Sequence, residues 1–268
     1  MWKRGTDVVN VVRKECQKIC DSILGIIGEY VDEPTRVVGR MLPNPSPIFF
    51  IVGQRIKKCI NGTVKPVLSW GEYGIFDGQF IQPCDLSVSN GKVCVCDSGQ
   101  HRIQIFDTNG KFLHGIGVYG KGPGEFISPS KCIANDNYLY VMEEKGYRVQ
   151  VFDLKTYQYL FEIKAIDYFY DFAVNNTHIY IIGEEKGKQY KQYIEIFDTV
   201  CNYQKRIPLQ SWTTKITATK IGLLLRTWSN DITCITYHGE VKQFPIKCAE
   251  HIIVDEQDRI ICNGIIYE

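Results

Sequence analysis

Between residues 83 and 117 apolar and polar side chains alternate in short bursts. The segments "DLSVS" (85–89), "KVCVCDS" (92–98), "RIQIFD" (102–107) and "KFLHGIG" (111–117) are alternating or β-branched. A period of two in runs this short predicts strands rather than helices. Asn90-Gly91 and Asn109-Gly110 fall between bursts. Asn-Gly is the strongest short hairpin signal, because both residues tolerate positive φ. The pattern therefore predicts four antiparallel strands, a to d, within about 46 residues.

The same pattern returns along the chain. Displaced by 46 residues, Phe80 falls on Phe126, Pro83 on Pro129, Arg102 on Arg148, and Phe106-Asp107 on Phe152-Asp153. A further 45 reaches Phe197-Asp198, and 40 more reaches Tyr237-His238. A backward step of 47 places Arg102 on Arg55, within "GQRIKKCI" (53–60). A four-stranded antiparallel sheet repeated at this interval is a propeller blade.

The expected fold is all-β, a single domain over residues 1–268 forming a six-bladed β-propeller of four-stranded antiparallel blades. Blades one to five occupy 32–77, 78–123, 124–165, 166–210 and 211–247. Blade six takes 248–268, whose strands a and b are clear, and is completed from the N-terminus. Two readings of residues 1–31 stand. Gly5 and Pro34 keep the repeat's register, which predicts closing strands. Val8, Val12, Cys16, Ile19, Ile23 and Ile27 also fit a helical stripe within residues 6–30.

The motif G-x-x-x-G-x-F-x-x-P before strand a, followed by V-x-D-S-G-Q-x-R-I-Q-x-F-D across strands b and c, resembles the NHL repeat. The match is good over residues 78–117 and 124–163, partial over 36–70, and fades over 169–209 and 216–246. Propellers of this type include RNA binders, protein-binding platforms, receptor sensor domains and a lyase, so the resemblance implies a fold more than a function. It also implies that strand a lines the axis. The d-to-a and b-to-c connections then share one face, called the top.

On that face the sequence places an aromatic residue near most loops (Tyr73, Tyr119, Tyr147, Tyr168, Tyr190), with Lys121, Lys145, Lys186, Lys188 and Lys191 among them. Gln100 and His101 join them in a b-to-c loop. Tyr73, Gln100, His101, Tyr119, Lys121, Lys145, Tyr147 and Tyr168 are the candidate partner-binding residues. Aromatics with lysines suit stacking on single-stranded nucleic acid and equally suit a protein interface. Acidic residues on the same face (Glu72, Glu125, Glu143, Glu184, Glu185) weigh against RNA. Arg55, Arg102 and Arg148 recur at one position, and Asp97 belongs to the same motif, so these are expected to be architectural.

Composition narrows the functions further. Net charge is +1, with 31 basic and 30 acidic residues, so nothing draws the whole chain to nucleic acid or membrane. Apolar residues make up 44%, enough for a core. No apolar run reaches membrane-spanning length, and "MWKRGTDVVNVVRKE" lacks a signal-peptide core. A cytoplasmic protein, or one inside a viral particle, is expected. The 11 cysteines have no metal-site spacing and read as buried reduced thiols. The five histidines are too scattered to converge on the axial metal of the lyase-type relatives. "GKGPGEF" (120–126) lacks the G-K-[ST] context of a phosphate loop. No catalysis, cofactor or small-molecule substrate is expected. The expected role is a protein-interaction platform. The alternatives are RNA binding on the same face, or a structural subunit of a larger assembly.

If the N-terminus closes the ring, deleting residues 1–30 exposes strand edges. The truncated chain should aggregate on expression; a soluble product with one cooperative melting transition contradicts the closure.

Overall fold

The computed structural model describes residues 39–40, 47–60, 66–143, 145–164, 168–184, 191–247, 252–254, 260–262 and 265–267. Its strands form six antiparallel sheets in chain order. The first sheet holds β1 (Gly39–Arg40), β2 (Ile48–Val52), β3 (Arg55–Cys59) and β4 (Leu68–Trp70). The second holds β5 (Pro83–Ser89), β6 (Lys92–Asp97), β7 (Arg102–Asp107) and β8 (Phe112–Ile116). The third comprises β9 (Pro129–Ala134), β10 (Tyr138–Glu143), β11 (Arg148–Asp153) and β12 (Tyr159–Ile163). The fourth comprises β13 (Tyr168–Val174), β14 (His178–Glu184), β15 (Gln192–Asp198) and β16 (Tyr203–Pro208). The fifth runs β17 (Thr213–Ala218), β18 (Gly222–Thr227), β19 (Asp231–Thr236) and β20 (Val241–Lys247). The last has β21 (Ile252–Val254), β22 (Ile260–Cys262) and β23 (Ile265–Tyr267). The sequence expected a and b in the last blade and left c open; the third strand is present. The closing segment 1–31, Lys186, Lys188, Tyr190 and His251 lie outside the described residues.

The second strand of each central blade is buried on both faces. In β6, Val93 and Val95 pack toward the first blade, while Cys94 and Cys96 pack toward the third. In β10, Leu139 and Val141 face the second blade and Tyr140 and Met142 the fourth. Such strands read as continuous apolar runs ("YLYVM", "IYII") because neither face meets water. Cys59, Cys94, Cys96, Cys132 and Cys234 are buried, and the seven cysteines whose side chains are described carry reduced thiols. Burial pushes the Cys94 and Cys96 thiols well above the usual range, which suits packing rather than reactivity.

The repeated Phe-Asp pair has two tasks. Phe106 and Phe152 are core residues, each beside the buried aromatic of the loop before its blade: Phe80–Phe106 at 5.8 Å and Phe126–Phe152 at 5.7 Å between ring centroids. The aspartate builds the c-to-d turn. Asp107 Oδ1 accepts from Asn109 N (2.8 Å) and Lys111 N (2.9 Å). Asp153 Oδ1 accepts from Lys155 N and Thr156 N, and Asp198 Oδ1 from Val200 N and Asn202 N. The Asp153 carboxyl is held below the usual range by the Thr156 amide and hydroxyl, and the Asp198 carboxyl by the Asn202 side chain, which donates to Oδ2 (2.8 Å), together with the Asn202 amide. The two Asn-Gly turns thus differ. Asn90 and Gly91 have φ 48° and 71° and make the tight hairpin the sequence predicted. At Asn109-Gly110 only the glycine is left-handed (φ 80°), because the Asp107 side chain organises a longer turn.

The inner strands raise a different problem: one edge has no strand partner. Side chains from the preceding blade supply acceptors. Asp85 Oδ2 takes Cys132 N (2.9 Å), Ser87 Oγ takes Ala134 N (2.8 Å), and Asp171 Oδ2 takes Ile216 N (2.9 Å). A bulge precedes the same register position in four blades. The residue there alternates in sign: Asp85, Lys131, Asp171, Lys215. Lys131 Nζ donates to Asp171 Oδ1 (2.8 Å) and Phe172 O (2.7 Å).

Burial pushes the Asp85 carboxyl up to about 6, against the pull of the Cys132 amide, Lys131 and Lys215. The folded protein therefore holds a proton that the unfolded chain, with a carboxyl near 3.9, releases. That contribution to stability is complete below about pH 4 and is lost as pH rises through 6. Asp85→Asn keeps an acceptor for Cys132 but does not ionise. Urea denaturation should show the variant gaining on the parent by about 2 kcal/mol between pH 4 and pH 7. A difference that does not change with pH contradicts this.

Candidate functional site

Two connections of the same build join successive blades on the face called the top. Residues 71–82 lead from β4 to β5, and residues 117–128 from β8 to β9. Each loop closes on itself. Phe80 N donates to Glu72 O (2.8 Å) and Gly74 N to Phe80 O (3.2 Å); Phe126 N donates to Val118 O (2.8 Å) and Gly120 N to Phe126 O (3.2 Å). Phe80 and Phe126 are fully buried plugs. The chain passes over the plug at a glycine. Gly117 has φ 99°, and a Cβ there would lie 2.2 Å from the Phe126 ring.

The following blade holds each loop through an Arg-x-Gln pair on its third strand. Arg102 Nη2 donates to Phe76 O (2.9 Å) and Gln79 O (3.0 Å). Gln104 donates to Gln79 O (2.6 Å) and accepts from Gly78 N (2.8 Å). One repeat later Arg148 donates to Lys121 O (2.8 Å), Gly122 O (3.3 Å) and Glu125 O (2.9 Å). Gln150 donates to Glu125 O (2.7 Å) and accepts from Gly124 N (2.8 Å). The last residue of the second strand finishes the frame. Asp97 accepts from Gln82 N (2.9 Å) and Ile81 N (3.2 Å), and burial raises its carboxyl. Glu143 accepts from Ile127 N (2.6 Å) and Arg148 Nε (2.6 Å). Arg148 also reaches Glu162 (2.7 Å). The sequence singled out the arginines and Asp97 as architectural but gave no role to Gln104 and Gln150, the glutamine of the R-I-Q-x-F-D motif. Their signal was visible, since both recur at the same 46-residue displacement. Arg55 holds the matching place in β3 and is exposed; the loop it would meet falls before residue 39, outside the described residues.

His101 and Tyr147 occupy one repeat position and both take left-handed backbone, at φ 53° and 49°. Each turns forward onto the next blade's approach. His101 Nδ1 accepts from Ser128 N (3.0 Å), and its ring lies 4.9 Å from Tyr119. Tyr147 meets Tyr168 edge-on at 5.6 Å. Residues 101 and 102 thus grip two loops, one on each side; Arg148 holds the second of these loops, while Tyr147 meets the first residue of β13. The structure pairs the candidates His101 with Tyr119 and Tyr147 with Tyr168, and Arg148, the residue after Tyr147, holds the backbone carbonyl of Lys121. Tyr73 lies in the first loop. Gln100 ends a 3-10 turn (Ser98–Gln100) and is half-buried. Tyr168 begins β13 rather than sitting in a loop. Tyr170 and Trp212 extend the aromatic series at 5.5 Å.

The face is more apolar than the sequence suggested. Tyr73 (71%), Phe76 (70%), Tyr119 (70%), Val118 (62%) and Ile75 (58%) are largely exposed on the two loops, and Trp228 (77%) tips the β18–β19 hairpin. Five of these lie on two adjacent loops; solvent-facing apolar patches of this kind mark interaction sites. Ile75, Phe76 and Val118 escaped notice because they stand between glycines without periodicity. Among the described residues no group of three or more His, Cys, Asp or Glu is placed to hold a metal ion.

Arg148 is nearly buried and its loss would strand Glu143, which is fully buried. Arg148→Ala should cost about 3–5 kcal/mol in chemical denaturation. Arg102→Ala should cost about 1–3 kcal/mol, since its ion pairs are longer, at 3.5 Å to Asp77 and 3.8 Å to Asp97. Equal and negligible losses contradict the clamp.

The comparisons agree with this architecture. A family model described as a 6-bladed beta-propeller matches residues 79–244. Short stretches match two curated proteins. One is the B-box type zinc finger protein ncl-1 of Caenorhabditis elegans, 43% identical over 44 residues, or 16% of this chain and 5% of that protein. The other is Protein brain tumor of Drosophila melanogaster, 41% identical over 49 residues, covering 18% and 5%. The chain thus matches only a small part of either relative. Among solved structures, streptogramin B lyase aligns with TM-score 0.65 at 15% identity, covering 88% of this chain and 80% of that one. Kuenenia stuttgartiensis hydrazine synthase aligns at 0.63 with 13% identity, covering 87% and 75%. At such identities these two share the fold alone. The likeness to NHL-repeat propellers read from the two close copies stands. The chain belongs to the DUF5128 family of 6-bladed β-propellers.

Proposed function

We propose that the chain is a non-catalytic platform that docks a partner protein on its top face. The observation that carries this is the pair of pre-ordered loops, 71–82 and 117–128, presenting Tyr73, Ile75, Phe76, Val118 and Tyr119 to solvent. Rigid aromatic side chains give large contact area at small entropic cost, the character of interface anchors. The polar residues that recur with the fold are already engaged. Asp97, Glu143, Arg102, Arg148, Gln104 and Gln150 hold loops, so chemistry on a substrate is not their task. A cytoplasmic setting belongs to the same reading. Mixed charge on the face, which carries Glu72 and Asp77 as well as Lys121 and Lys145, favours protein over RNA.

Tyr119→Ala combined with Tyr147→Ala should abolish partner binding while leaving the melting temperature within a few degrees of the parent. The check is a pull-down with parent and double variant, from lysate with and without nuclease. Partners retained by the parent, lost by the variant and indifferent to nuclease support the reading. Loss on nuclease treatment, with a log–log salt slope of about −0.7 per phosphate contacted, points to RNA instead. Equal binding by both proteins places the site elsewhere.

A further inference from the structure

One histidine is built into the top face as a hydrogen-bond acceptor. His101 meets the loop 117–128 at three points. Its Nδ1 accepts from Ser128 N (3.0 Å) at the end of the loop. Its ring lies 4.9 Å from that of Tyr119 near the start. Its carbonyl oxygen passes Gly117 so closely that a Cβ there would lie 3.0 Å away. A backbone amide only donates, so the Nδ1 that accepts from it carries no proton, and the imidazole is neutral with its hydrogen on Nε2. Among the described residues no carboxylate forms an ion pair with the ring.

The two repeats differ at this point. In the first, Asp97 takes both amides that lead into the blade, Ile81 N (3.2 Å) and Gln82 N (2.9 Å). One repeat later Glu143 takes Ile127 N (2.6 Å), and Ser128 N goes to His101. The residue matching His101 in the first repeat is Gln54, which does not titrate. Both ends of the bond stand on left-handed backbone, His101 at φ 53° and Ser128 at φ 54°. Such a conformation is costly for a residue other than glycine and persists only where its surroundings hold it.

We infer that His101 is an acid-sensitive latch: neutral, it ties down both ends of the loop that presents Val118 and Tyr119, and protonated, it lets them go. Histidine is the side chain that gains charge between pH 5 and 8. A hydrogen added at Nδ1 points at the Ser128 hydrogen, so the bond is lost and the amide loses its acceptor. The latch is closed at neutral pH and opens as pH falls. The other ionisable groups nearby have separate tasks. Asp85, which burial brings into the same pH range, meets Cys132 N. Asp97 and Glu143 hold the amides already named, and Arg102 holds the first loop. On the loop itself Tyr119 meets the imidazole ring, Glu125 accepts from Gly122 N, and Lys121 is exposed.

The test is amide hydrogen exchange by NMR on the full 268-residue chain, corrected for the intrinsic effect of pH on exchange, at about pH 7.5 and about pH 5. It compares the parent with His101→Asn and His101→Gly. Asparagine accepts through Oδ1, tolerates left-handed backbone and does not titrate. Glycine removes the acceptor at no backbone cost. In the parent, protection of the Ser128 amide should fall at least about five-fold on acidification, the worth of one hydrogen bond, while the β7 amides hold. His101→Asn should keep Ser128 protected at both pH values, and His101→Gly should leave it unprotected at both. A long-range proton–nitrogen spectrum of the parent should show Nδ1 bare at the higher pH and protonated at the lower. Parent protection that does not change with pH overturns the latch, as does a proton on Nδ1 at the higher pH; neither readout needs a variant to fold. His101→Asn losing protection as the parent does assigns the switch to another group, and His101→Gly protected like the parent shows that His101 holds nothing. No partner enters these measurements, so the docking role stands or falls separately.

Discussion

The structure depends on how two glycine-rich loops keep their backbone bonded far from any sheet ladder. A loop that folds over a buried phenylalanine brings carbonyls and amides away from water, and each needs a partner. The Arg-x-Gln pair on the next strand supplies five donors from guanidinium and two kinds of group from the amide, all fixed by a strand that is itself buried. Arg148 uses them on three carbonyls and two carboxylates. The loop becomes a rigid extension of the blade, and its outward side chains are presented rather than collapsed.

That economy explains the distribution of residue types. Blade faces are glued by interleaved apolar side chains, so the second strand of each central blade carries them on both sides. Polar residues are left for edges and connections. Aspartate after the core phenylalanine ties one end of the blade, and aspartate or glutamate at the end of the second strand ties the other. On the inner strands alternating charge at one bulged position bridges neighbouring blades. What remains exposed and apolar on the top face is therefore left over from the architecture, which is why it reads as a surface for something else.

Much of this was legible beforehand. The four strands per repeat, the 46-residue displacement and the structural character of Arg102 and Arg148 all follow from periodicity and self-alignment, because each blade must solve the same packing problem. The site was less legible. Tyr119 and Tyr147 could be placed on the top face by topology, but their neighbours could not, since contacts such as His101–Tyr119 and Tyr147–Tyr168 join separate segments of the chain. Phe76 and Ile75 carry no periodic signal in a loop. The register of the inner-strand charges was hidden as well. Asp85 and Lys131 sit just after a bulge, and a bulge leaves no mark in an alternating pattern.

Hydrogen–deuterium exchange on the native protein tests the central claim most directly, because it reads loop order without any mutation. If the Arg-x-Gln frame holds the loops, the amides of Gly78, Phe80, Gly122, Gly124 and Phe126, each bonded to a carbonyl, carboxylate or glutamine oxygen, will exchange as slowly as those of β7 and β11. Exchange of these amides at the rate of an unstructured peptide, while β7 and β11 stay protected, would contradict the account.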